Sequence, residues 1–219
     1  MTVMRLPLLL AASLATFAAS ASAAFVPVPF LSETPVRKFT APQWVIDPAK
    51  TYRAEIETTK GKVTIEFYAQ QAPKTVNSFV FLTLNRYYEG VKFHRVLDGF
   101  VAQVGDPNTV TGPRATWGQG GPGYGYYLEL DRALKFDKAG VLGMARTQDP
   151  YTNGSQFYIT LAPTPSLDGQ YTVFGRVVEG LDVVQSLQKI DPSSPAGENV
   201  TPDEIKTVTI LVDDGKATP

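Results

Sequence analysis

Phe93-His94-Arg95-Val96-Leu97-Asp98-Gly99-Phe100-Val101-Ala102-Gln103-Val104-Gly105-Asp106 is the stretch whose reading decides the fold. Its apolar and β-branched residues place strands at Lys92–Val96 and Phe100–Val104. Strand alternation sends Arg95 and Leu97, with Phe93, to one side and His94 and Val96 to the other. Val101 and Gln103 share a face of the next strand. A second run answers the first: Met144-Ala145-Arg146, then Asn153-Gly154-Ser155-Gln156-Phe157-Tyr158-Ile159. There Gln156 and Tyr158 share a face. If these faces meet, one arginine stands beside two amide side chains and an apolar wall. Taken alone, Arg95 also fits a surface salt bridge, because most arginines are exposed.

Working outward, Arg53–Thr58 and Lys62–Phe67 alternate around Thr59-Lys60-Gly61 and read as a β-hairpin. Ala72-Pro73-Lys74-Thr75-Val76 opens a helix with proline in its first turn. Val76, Phe79, Val80 and Leu84 fall on one face of it, and its end is expected between Tyr87 and Gly90. Further strands are expected at Gly140–Ala145, Gln156–Thr160, Thr172–Val178 and Thr207–Val212, with a second helix at Leu181–Leu187. Many short strands with two helices predict a mainly β fold, a closed antiparallel eight-stranded barrel capped by two helices.

The N-terminal part is organised differently. Arg5 is the only charge before Glu33, Leu6 to Ala19 is apolar, and Ala21-Ser22-Ala23 is a small-x-small site. This is the layout of a secretory signal peptide, residues 1–23. The apolar run falls short of the roughly 18–20 residues a spanning helix needs. The expectation is an exported chain, periplasmic or secreted, with no stable membrane anchor after cleavage. Residues 24–50 carry Pro27, Pro29, Pro35, Pro42 and Pro48 and read as an extended arm with Trp44-Val45-Ile46 as a docking point. A domain then spans 51–213, followed by a tail, 214–219.

Composition excludes several chemistries. The 219 residues carry 20 Lys+Arg and 21 Asp+Glu, a formal net charge of −1, which argues against broad capture of nucleic acid. There is no cysteine, so disulfides, thiolate catalysis and cysteine-ligated zinc are out. His94 is the only histidine, so no His-Glu-x-x-His zinc site exists. His94 reads as a structural residue. Gly118-x-Gly120-x-x-Gly123 matches a dinucleotide fingerprint in form, but Pro122 opposes the helix that must follow it. It reads as a loop wrapping the barrel.

From Tyr52 to Val212 the chain resembles the cyclophilins, the peptidyl-prolyl cis-trans isomerases, through the two long runs quoted above. The resemblance implies Arg95 as catalytic residue, with Gln103 orienting it and the substrate. It implies a proline pocket of Phe100, Val101, Tyr158 and Leu167. Ala145 and Arg146 match an edge strand that holds the peptide backbone, flanked by Gln156, and Ser166–Gly175 matches the loop and strand that close the pocket. The chain departs from the family's usual pattern at several positions. Ser166 stands where many members have the tryptophan that helps bind cyclosporin, so weak cyclosporin binding is implied. Tyr171 stands where a histidine often lines the pocket, Tyr158 replaces a usual phenylalanine, and Arg146 a common asparagine. The implied activity is X–Pro isomerisation in exported polypeptides, by a monomer acting on proline-containing segments without a cofactor. The alternative is a non-catalytic binding module or chaperone for such segments.

Overall fold

The computed structural model describes residues 23–194, 197 and 199–217. The segment expected to be a signal peptide, residues 1–23, lies outside them except for Ala23. The strands are β1 (Ala23–Pro27), β2 (Tyr52–Thr58), β3 (Lys62–Phe67), β4 (Arg95–Val96), β5 (Val101–Val104), β6 (Val141–Met144), β7 (Phe157–Thr160), β8 (Val173–Glu179) and β9 (Ile205–Ala217). The helices are α1 (Pro73–Leu84), a short α2 (Asn108–Thr111) and α3 (Leu181–Ser186), with 3₁₀ turns at Arg114–Thr116 and Pro165–Leu167.

The hairpin forms as its alternation requires. Ala54 pairs with Ile65 and Ile56 with Val63, and all four are buried. Gly61 supplies the positive φ of the turn. From there the sheet grows antiparallel on both sides, in the order β1-β9-β2-β3-β8-β6-β7-β5-β4. The architecture is therefore mainly β, but it is one nine-stranded sheet rather than the expected closed eight-stranded barrel. The extra strand comes from the arm, where Ala24–Pro27 is too short and too close to prolines to read as a strand. It lies at an edge, where Pro27 needs no partner for a missing N–H. The opposite end is β4, only two residues long. The segment before it reaches back toward β9: Phe93 N–H donates to Asp203 O, Ile205 N–H donates to Val91 O, and Lys92 bridges Glu204.

Helix α1 starts where Pro73 predicts. Its free N-terminal donors are met from a distant loop: Glu129 accepts from the Lys74 and Thr75 N–H groups at 3.1 and 2.8 Å. Its end differs from expectation. The helix stops at Leu84, and Arg86 takes the left-handed φ of 56°. The arm explains this, because Leu31 N–H donates to Leu84 O and Val36 N–H to Asn85 O, capping carbonyls that a longer helix would have used itself. The arm also explains why Thr75 through Leu84 are all buried rather than one face alone. The sheet covers one side and the arm the other. Buried Asn77 accepts from Val45 N–H and donates to Gln43 O, at 2.7 and 2.9 Å. Phe39 meets Phe81 edge-on at 4.9 Å. Ile46 is buried in the main core, whereas Trp44, expected as part of the docking point, is 57% exposed.

Candidate active site

The sheet register sets the site. Arg95 on β4 pairs with Gln103 on β5, Gln103 with Tyr158 on β7, Tyr158 with Gly143 on β6, and Gly143 with Val173 on β8. Side chains alternate across a strand. The neighbours Val96, Ala102, Ile159 and Leu142 face the main core, so the row from Arg95 to Val173 lies on the outer face. There Val101, Tyr158, Val141, Val173 and Phe136 form a second apolar cluster, against which Phe100, Ala145, Leu167 and Tyr171 pack. Phe93 does not join them. It is buried in the main core with Val96, because only Arg95 and Val96 are regular strand and the alternation assumed for residues 92–94 does not hold.

Above this cluster is a cavity of about 190 Å³, lined by Arg95, Phe100, Val101, Gln103, Ala145, Arg146, Tyr158, Leu167 and Tyr171. Nine of the ten residues singled out from the sequence thus meet around one hollow. The tenth, Gln156, stands behind it. Gln156 Nε2 donates to Gly118 O and Gly120 O, both at 2.9 Å, which turns its Oε1 toward Gln103. Gln103 Nε2 donates to that oxygen at 3.1 Å, and Gln103 Oε1 accepts no hydrogen bond from the described residues. Arg95 and Gln103 are register partners without a side-chain hydrogen bond between them. Among the described residues the Arg95 guanidinium makes no hydrogen bond or ion pair, and it lies 5.4 Å from the Phe100 ring centroid.

Two features were not legible beforehand. Gly143 has no side chain because one would strike the Tyr158 ring, which lies across it. Arg146 acts through its side chain: Nε and Nη2 donate to Gln170 O at 3.0 and 2.7 Å, and the guanidinium sits 4.8 Å over the Tyr171 ring. It ties one wall of the hollow to the other. Its backbone N–H has no partner among the described residues, so an extended chain can bind there.

The polar groups of the site are unevenly satisfied. Tyr158 Oη is buried without a partner, and burial pushes the phenol well above its ordinary range. His94 is buried behind Arg95 with neither ring nitrogen hydrogen-bonded. Burial lowers its pKa; the charge of Asp106, the Lys92 backbone and Gln156 oppose that only in part. Asp106 itself is fully buried and accepts from the Asn108 and Gly118 N–H groups. That contact folds Gly118–Gly123 into a rim; no helix opens after Gly123. Two larger cavities adjoin the hollow. One, about 480 Å³, runs under this rim and shares Gln103, Ala145 and Arg146 with it. The other, about 600 Å³, lies beyond Arg95 against Arg114, Trp117 and Ile190.

A ring-sized hollow walled largely by apolar side chains, with a guanidinium that has no partner among the described residues and an amide held beside it, can hold a compact apolar ring and donate to a neighbouring polar atom. Residues 53–210 match the family model of cyclophilin type peptidyl-prolyl cis-trans isomerases. The chain belongs to the cyclophilin family. Peptidyl-prolyl cis-trans isomerase-like 1 of Aspergillus fumigatus is 43% identical over 157 residues, 71% of this chain and 92% of that protein. Peptidyl-prolyl cis-trans isomerase ppi1 of Schizosaccharomyces pombe is 48% identical over 143 residues, 64% and 87% of the two. A crystal structure of a Cryptosporidium parvum cyclophilin type isomerase superposes with a TM-score of 0.64 at 29% identity, over 77% of this chain and 99% of that one. The same protein in the presence of the dipeptide Ala-Pro gives 0.63 at 31%. This cyclophilin is therefore an isomerase of the peptidyl-prolyl class, and its relatives named here are eukaryotic.

Proposed function

We propose that this cyclophilin speeds X–Pro rotation in exported polypeptides, with Arg95 as the catalytic donor. The observation that carries the role of Arg95 is its guanidinium, free of any described partner, at the lip of a ring-sized apolar hollow. Peptide-bond rotation is slow because resonance gives C–N double-bond character. The proline ring sits on Val101, Tyr158 and Leu167. A hydrogen bond from Arg95 to the prolyl nitrogen localises its lone pair and weakens that resonance. Gln103 orients the group that rotates, and the Arg146 backbone holds the chain. A gain of about 10⁵ in rate requires roughly 7 kcal/mol, which a preorganised donor beside a dry surface can supply in large part. No proton is transferred.

Isomerisation of an Ala-Xaa-Pro-Phe peptide by the parent and by Arg95→Ala tests this role. The expected loss is about 10²–10³-fold in kcat, as for removal of one preorganised donor. Equal activity in two folded proteins removes Arg95 from the mechanism. Negligible activity in both leaves the binding-module reading. The departure at Ser166 supports weak cyclosporin inhibition.

Export rests on Arg5, the apolar run Leu6–Ala19 and the site Ala21-Ser22-Ala23. N-terminal sequencing of protein recovered outside the cytoplasm is expected to begin at Ala24. An uncut chain retained in the cytoplasm overturns it.

A further inference from the structure

The arm lies outside the family match, which begins at residue 53, yet two of its contacts lead directly into the site. The first goes to the rim. Phe39 N–H donates to Pro122 O at 2.7 Å, and Lys38 Nζ reaches Gly121 O at 3.4 Å. Gly123, at φ +100°, is packed against the Phe39 carbonyl so closely that a Cβ would collide with it. The rim carbonyls next along, Gly120 and Gly118, are the ones that hold the Gln156 amide.

The second contact goes behind the site. Arg37 is half-buried, with Nη1 donating to Tyr87 O at 2.8 Å and Nη2 to Glu89 O at 2.7 Å. The Tyr87 hydroxyl pairs with Ser155 Oγ at 2.8 Å, and Ser155 Oγ donates to Gly105 O at 2.7 Å. Ser155 immediately precedes Gln156. The two routes therefore converge on one residue, at its side chain and at its backbone, and Gln156 in turn fixes Gln103 beside Arg95.

We propose that arm residues 37–39 are positioning residues of the isomerase: they clamp the rim and the Tyr87–Ser155 pair, and so hold the Gln156–Gln103 amides in register with Arg95. The proposal rests on the isomerase reading of the site. The arm touches neither Arg95 nor the proline hollow, so its effect on catalysis is transmitted entirely through those two amides.

Two full-length variants break the clamp from opposite sides: Arg37→Ala combined with Phe39→Ala from the arm, and Gly123→Ala from the rim. Trp44→Ala, at an exposed arm position away from the rim, is the control. The readouts are side-chain amide NMR of Gln103 and Gln156, and kcat/KM on an X–Pro peptide below the unfolding transition. Both clamp variants are expected to shift the two amide signals and speed their proton exchange. They should also lower kcat/KM by about tenfold, within the range that misplacement of a reacting group produces. The control leaves both readouts at parental values. Folded clamp variants with parental amide signals and parental kcat/KM overturn the proposal. If the double variant does not fold, Arg37→Ala alone is read by amide NMR, and unchanged signals there overturn it equally. A parent protein with no isomerase activity overturns the underlying reading, even where the amide signals respond to the arm.

Discussion

The two faces of β5 and β7 differ by a single residue step, yet they do opposite things. On the inner face Ala102, Val104, Phe157 and Ile159 are sealed in the main core. Phe157 alone touches Phe79, Tyr88 and Phe174 edge-on, with ring centroids 5.3–6.2 Å apart. On the outer face Val101, Gln103 and Tyr158 carry the hollow, a half-exposed amide and a buried hydroxyl with no partner. Residues of one parity are selected by packing, and those of the other keep polar capacity in reserve for a ligand. The site therefore sits on strands already rigid for other reasons, which is where a precisely placed donor is easiest to hold.

The division is most severely tested on the inner face. Phe157→Ala is expected to cost about 3–5 kcal/mol by urea unfolding, the range for emptying an aromatic core position. A loss no larger than that of an outer-face truncation such as Val101→Ala breaks the contrast. Gly143→Ala comes next, on the outer face. Its methyl group enters the space of the Tyr158 ring, so about 1–3 kcal/mol of overpacking is expected, together with a fall in kcat/KM as the ring is pushed into the hollow. A variant with parental stability and activity shows that the ring can move freely.

The buried histidine gives a pH-dependent test. His94 has its pKa lowered in the fold, so the unfolded chain takes up its proton first. Stability is unaffected above the unfolded value of about 6.5 and falls as pH drops below it, by up to about 1.4 kcal/mol per unit. It levels off once the folded pKa is passed. Thermal melts between pH 7 and 5 should show this fall, and His94→Gln should remove it; a melt curve that is flat in the parent speaks against a neutral buried imidazole. The smallest effect expected is a gain. Tyr158→Phe removes the unpaired hydroxyl and should stabilise the protein by about 1 kcal/mol, with isomerase activity unchanged within about twofold. Destabilisation there means that the hydroxyl is satisfied in solution.

Much of this was legible because the relevant signals are local. Alternation at Ala54, Ile56, Val63 and Ile65 marks the hairpin, Pro73 marks the start of α1, and two long runs bring seven residues to one hollow, with Leu167 and Tyr171 added by the segment Ser166–Gly175. What failed depended on distant partners. The end of α1 is set by N–H groups of Leu31 and Val36, from a segment whose prolines hide its pairing. The absence of a side chain at Gly143 has meaning only once Tyr158 lies across it from the next strand. Alternation places Phe93 on the Arg95 face, but residues 92–94 are not regular strand and Phe93 lies in the main core. The reach of the Arg146 side chain to Gln170 depends on a loop whose position no sequence spacing reveals.

The pairing of β1 with β9 also bears on the order in which the molecule is assembled. β9 is a 13-residue strand, and without the arm its outer side from Leu211 onward is an open row of N–H and C=O groups, a template for another chain. The segment that covers it, Ala24–Pro27, is made before β9, with seven other strands between the two in the chain. β1 must therefore wait for β9 before it can take its place in the sheet. Once β9 has formed and until the arm is seated, its edge is open to intermolecular pairing. Once seated, the arm closes the edge with a strand ending in Pro27, which offers the next chain no N–H at that position.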